Sequence, residues 1–200
     1  FGPPEPADRL CFNVAQNEWR RERATVQMGL AVEDAGNTHG VMYMKDEALA
    51  ASLGDRHQLF VAKHKLRGHT NAEDDEQTFS CVKLMAIARW YADHYNASVC
   101  RVPGSTPVKF LQVWGYVLVC RRQVPVLQVE TFAAEYEKFT YDSIPLSVEV
   151  HGEIEAAFLF ALFTIEQSGG EILLCDPTRV ARGIWGPPVI ASTAKVGECL

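Results

Sequence analysis

The stretch GGEILLCDPTRVARG, residues 169–183, places a carboxylate where chemistry could be done. Gly169 and Gly170 end the preceding element, Ile172, Leu173 and Leu174 form a short apolar run, and Asp176 follows it. An aspartate at a strand end can hold a metal or accept a proton. Beside Pro177 it can equally be an ordinary turn aspartate. Lys63 follows the apolar residues of HQLFVAKHKL (57–66). A strand can fix such an ammonium against an anionic phosphate, and the bland alternative is a solvated strand-end lysine. Glu130 stands where the sequence character changes, and reads either as a ligand contact or as half of a salt bridge.

Other chemistries find no support in the spacing. There is no G-x-G-x-x-G, no G-x-x-x-x-G-K-[ST], and neither the H-R-D nor the D-F-G of ordinary protein kinases. His64 and His69 are separated by Arg67-Gly68 turn chemistry, which does not suit a zinc pair. Six cysteines are scattered without a C-x-x-C pair, so free thiols in a reducing, cytoplasmic setting are expected. The sequon Asn96-Ala97-Ser98 is read as chance.

The elements that must position these residues follow from periodicity and punctuation. Strand character covers 9–17, 23–32, 57–66, 108–120, 124–132 and 171–175. EDAGNTHG (33–40) is a turn, and MKDEALAASLG (44–54) is a short helix stopped by Gly54. A longer helix is expected over 75–95, with Phe79, Val82, Ala86 and Trp90 on one face and acidic residues at its start. The segment 151–170 opens as a helix that is apolar nearly all round, and is expected to be a buried spine.

Strands first and helix-plus-strand afterwards give an α+β, two-lobed plan. The expected lobes are 1–128 and 129–200, with a hinge near 129–134 and a ligand cleft beside it.

Composition sets outer limits. Two hundred residues with 48% apolar content can bury one substantial core or two small ones. The 19 basic and 25 acidic residues leave a net charge of −6, which disfavours a nucleic-acid binder. The apolar runs 110–120 and 156–165 are about half the roughly 20 residues of a membrane-spanning helix, so no membrane insertion is expected. The chain begins with Phe1 rather than methionine, as expected of a domain within a longer protein.

Taken in order, several segments resemble the alpha-type protein kinases. QLFVAKHKL is similar to that family's phosphate-lysine strand, and FSCVKLMAIARWYADHYNAS to its helix, ending in Ala92-Asp93-His94-Tyr95-Asn96. VKFLQVWGYVLV and VETFAAEYEKFTYD resemble its strand, hinge and post-hinge lysine segment. ALFTIEQSGGEILLCD resembles its S-H-F-T-Y-E-x-S-G-G-x-L-L-V-x-D.

The resemblance covers most of 57–192 and residues 1–56 only thinly. It implies an alpha-kinase-like fold with a strand-rich N-lobe and a shortened C-lobe, taking ATP and magnesium. By it Lys63 would contact phosphates, and Glu130 and Phe132 would hold adenine through their backbones. Asp176 would be the catalytic aspartate and metal ligand, with Lys138 nearby as a second catalytic residue. His39 would replace the arginine of the family's G-x-x-R.

Several positions depart from the family pattern. No glycine follows Glu130, and the asparagines expected after Lys138 are Thr140, Tyr141 and Asp142. The x-Gln-Gly after the catalytic aspartate gives way to Thr178 and Arg179. Its T-D-P-x-I-H resembles GPPVIA, so a metal-site aspartate becomes Pro187. The family's zinc histidines fall on Leu162 and Ala191, and the completing cysteines are not found before Leu200, so no zinc is expected.

The resemblance therefore implies a serine/threonine kinase domain acting on a protein substrate. The alternative is a catalytically impaired pseudokinase that binds nucleotide or scaffolds a protein partner.

Overall fold

The computed structural model describes residues 1–31, 39–55, 57–65, 72–98, 107–121, 126–132, 148–175, 179–181, 184–185 and 189–192. The chain divides into two compact units, one of residues 1–86 with 112–133 and one of 87–111 with 134–200.

The first unit is a closed antiparallel barrel. Its strands are β1 (Glu5–Asn13), β2 (Glu18–Ala31), β3 (His39–Lys45), β4 (Phe60–Lys65), β5 (Val113–Leu118) and β6 (Val126–Thr131). The order around it is β1-β2-β3-β4-β6-β5, and β5 closes back on β1 through Ala7↔Leu118 and Leu10↔Gly115. Closure removes the open edges that an isolated sheet would present.

The period-2 alternation sorts side chains between the two faces. Ala7, Val26, Met28, Met44, Phe60, Ala62, Trp114, Tyr116, Leu118, Leu127 and Val129 form the core. A short helix α1 (Glu47–Ser52) contributes Leu49 and Ala50 to the same core.

Asp46 starts that helix and ties it to the barrel. Its Oδ1 accepts from the Leu49 amide at 2.9 Å, capping the first turn. Its Oδ2 accepts from the Tyr116 hydroxyl at 2.7 Å and from Arg9 Nη1 at 3.1 Å. A carboxylate only 1% exposed is tolerable because three donors replace its lost hydration.

On the outer face of β1 and β2, Asp8 is likewise covered, paired with Arg21 and with Arg23 Nη1 at 2.8 Å. The hydrogen bond from Arg21 holds the Asp8 carboxyl below its ordinary range, against the opposing effect of burial.

The long helix α2 (Ala72–Ser98) begins in the first unit and ends in the second. In the first unit Phe79 packs against Trp19, with ring centroids 5.5 Å apart. The Phe79 ring lies over Gly115, where a Cβ would meet it in ordinary van der Waals contact at 3.6 Å. In the second unit, the Asn96 side chain accepts from the Val108 amide at 2.9 Å and donates to its carbonyl at 2.7 Å. The sequon asparagine is thus committed to the fold, where it pins residue 108 to the end of α2.

The second unit also holds α3 (Val148–Gln167), β7 (Ile172–Cys175), β8 (Arg179–Ala181), β9 (Ile184–Trp185) and β10 (Val189–Ser192). Tyr95 meets Phe160 and Phe163 edge to face at 5.7 and 5.4 Å. Gly169 and Gly170 adopt φ of +66° and +91° and turn α3 into β7, a conformation that glycine takes without strain. β10 pairs antiparallel with β7, and β8 with β9.

Three expectations need correction. Residues 39–40, read as turn, and 44–45, read as helix start, join 41–43 in β3, because β2 and β4 supply the ladders their alternation alone did not signal. Helix α2 runs beyond the expected 75–95 at both ends. And α3 is no fully buried spine. Ala156, Ala157, Phe160 and Thr164 are buried, whereas Phe158, Leu159 and Leu162 are 63%, 42% and 48% exposed. An all-round apolar sequence allows burial on every side but cannot supply the neighbours to provide it.

Candidate functional site

Phe60 and Ala62 of β4 point into the barrel, so Lys63 stands on the outer face. On the neighbouring β6, Leu127 and Val129 point inward and Glu130 outward. The register pairs Val61 with Glu130 and Lys63 with Gln128, which makes Lys63 and Glu130 diagonal neighbours on one face. Their side chains meet, with Nζ and Oε1 2.5 Å apart. The Glu130 side chain is 8% exposed and that of Lys63 27%. The carboxylate is therefore fixed and covered, while the ammonium keeps access to solvent. Such a cation can turn toward an anionic group without leaving its tether.

Cys81 on α2 senses this pair. Burial first, then the Glu130 carboxylate, pushes its thiol above the ordinary range, and Lys63 partly offsets them. No periodicity or motif singled out Cys81, since its relevance comes only from folding α2 beside β4 and β6.

At the end of β6, Phe132 is anchored on both sides of its peptide. Its amide donates to the Leu59 carbonyl at 2.9 Å, and its carbonyl accepts from Gln58 Nε2 at 3.3 Å. Its ring lies edge to face with Tyr43 at 5.6 Å. Glu130 is in register with Val61 on one side and Val113 on the other, so its backbone lies within the sheet. What Glu130 presents outward is its side chain.

His39 opens β3 opposite Lys65, and Gly40 follows opposite His64. A Cβ at residue 40 would run into the His64 imidazole, so glycine leaves room for that ring to lie over β3.

Asp176 and Lys138 lie outside the described residues, as do Pro187 and the segment after the hinge. The strand that delivers Asp176 is described. The Leu174 amide donates to Thr164 Oγ1 at 3.1 Å, and the Ile172 amide to Ser168 Oγ at 2.8 Å. β7 is thereby tied to α3 and the turn after it up to Leu174, two residues before the aspartate. Ala191 lies on β10 opposite Leu173, and Leu162 on the exposed side of α3. Neither side chain carries a metal donor. The described residues thus bring Lys63 and Glu130 together and hold Phe132 at the end of the same strand.

A model of the alpha-kinase family matches residues 35–198. No curated protein sequence matches the chain. Among solved structures, the apoenzyme alpha-kinase domain of myosin-II heavy chain kinase A is similar at a TM-score of 0.74 and 16% identity, covering 97% of this chain and 85% of that one. The same domain in complex with AMP-PNP gives 0.71 at 15% identity, covering 96% and 84%. Its ADP complex gives 0.71 at 16%, covering 97% and 85%. At these identities the likeness establishes the fold alone.

Proposed function

The chain belongs to the alpha-kinase family, and from that premise we propose that it binds ATP at Lys63 and transfers phosphate to serine or threonine of a protein. The observation that carries this reading is the Lys63–Glu130 pair. A tethered ammonium with partial solvent access suits a phosphate oxygen, and its buried carboxylate keeps it aimed. In this reading Glu130 acts through its side chain, as the residue that positions Lys63. Phe132 supports the adenine side, where its carbonyl has a second lone pair beyond the one engaged by Gln58. His39 lies on the strand next to the lysine strand and, by family position, would stand in for the arginine of G-x-x-R.

Asp176 and Lys138 complete the proposal by family position. Asp176 would hold magnesium or accept the substrate hydroxyl proton, and Lys138 would balance charge beside it. Bound magnesium supplies charge neutralisation for the transferring phosphoryl group.

Phosphate transfer from labelled ATP to a generic basic protein tests the reading. Transfer by the parent and its loss in Asp176→Ala are expected, and no transfer with any divalent metal would overturn it.

A second reading, that of a pseudokinase, is favoured by the departures at Thr178, Arg179 and Pro187. By family position they would fall beside the metal and spare Lys63, so nucleotide binding would survive while phosphoryl transfer would be slow. Nucleotide binding without transfer would decide for it.

A further inference from the structure

We propose that the exposed face of α3 is a docking site for a basic amphipathic helix of a partner protein, a role separate from nucleotide chemistry. Phe158, Leu159 and Leu162 are 63%, 42% and 48% exposed, and with Glu155 and Glu166 they lie on one side of the helix at 100° per residue. The opposite side is occupied. Ala156, Ala157 and Phe160 are buried, and Thr164 is tied to β7 through the Leu174 amide. Three large apolar side chains standing together on a surface mark an interaction site more often than chance exposure does.

The charges select the occupant. Glu155 and Glu166 are both exposed and bracket the apolar patch, about 16 Å apart along the axis. Among the described residues neither has a salt-bridge partner. A second copy of the chain is a poor match. A parallel pairing of two α3 helices sets each glutamate against its own counterpart, and an antiparallel pairing sets Glu155 against Glu166. The net charge of −6 adds to that repulsion. Acidic membrane surfaces are disfavoured for the same reason. A helix carrying arginine or lysine at both ends of a leucine-type stripe satisfies the patch and both glutamates at once.

The test uses two labelled helical peptides of equal length with the same leucine stripe, one flanked by arginines and one by glutamates. Fluorescence anisotropy with the full chain should show the arginine peptide binding about tenfold or more tightly than the glutamate peptide, weakening as salt rises. Phe158→Ser with Leu162→Ser should abolish binding, and Glu155→Lys with Glu166→Lys should reverse the preference between peptides. The reversal keeps the test decisive even where the serine variant folds poorly. Equal binding of both peptides, no binding of either, or a concentration-dependent dimer in sedimentation that the serine variant disrupts would each overturn the proposal.

Discussion

Lys63 and Glu130 stand on adjacent antiparallel strands with Nζ and Oε1 2.5 Å apart, the carboxylate covered and the ammonium partly open. Their unequal exposure sets the consequences of substitution. Removing Lys63 strips the ion partner from a buried carboxylate, whereas replacing Glu130 leaves a cation that water can reach. Lys63→Ala should therefore destabilise the chain by about 1–3 kcal/mol in urea unfolding. Lys63→Ala with Glu130→Gln should cost less than Lys63→Ala alone. Additive losses would show that the two side chains are not coupled.

Cys81 reports on the same pair. Since burial and then Glu130 raise its thiol, Glu130→Gln should speed iodoacetamide alkylation of Cys81 at neutral pH. Mass spectrometry of the Cys81 peptide, with exposed Cys120 as internal reference, measures it. An unchanged rate would mean that the carboxylate does not govern the thiol.

Tyr116 links the barrel core to the cap of α1. Tyr116→Phe removes a donor to the buried Asp46 carboxylate and should cost about 1–3 kcal/mol in urea unfolding at neutral pH. Burial, and then Asp46, push the Tyr116 phenol above its ordinary range. A raised folded value means that the neutral phenol is favoured in the native state. Its contribution is full below about pH 10, the unfolded value, and is lost as pH rises beyond it. The phenylalanine variant should accordingly lose less stability than the parent between pH 8 and pH 11, measured by the same urea titration.

Asp8 gives an acid-side dependence of opposite sign. Its carboxyl is held low, chiefly by the hydrogen bond from Arg21, so its contribution is present above the ordinary aspartate range. It is lost as pH falls through the depressed folded value. Asp8→Asn should flatten the fall in stability below about pH 4, followed by circular dichroism. A parallel acid transition in the variant would assign the loss to other carboxylates.

Much of the barrel was legible from alternation. β4, β5 and β6 fall inside their expected segments because inward Phe60, Leu127 and Val129 alternate with outward residues. The turn from α3 into β7 was likewise legible from Gly169 and Gly170. Strand β3 was not, since VMYM carries apolar residues on both faces and its pairing is decided by β2 and β4. Nor was the exposure of Phe158 and Leu162, which depends on where β7, Tyr95 and Phe110 pack around α3. For the site, Lys63 and Glu130 were each identifiable as candidates. Their ion pair was not, because strand order β3-β4-β6-β5 brings them together and no local pattern encodes it.

The most direct test of the account is the thermal shift produced by Mg-ATP in the parent, in Lys63→Ala and in Asp176→Ala, each against its own nucleotide-free baseline. A ligand that binds only the native state stabilises it by RT ln(1 + [L]/Kd) and so raises Tm as its concentration exceeds Kd. A magnesium-dependent rise is expected in the parent, lost in Lys63→Ala and reduced in Asp176→Ala. No rise in the parent, or an equal rise in Lys63→Ala, would contradict it.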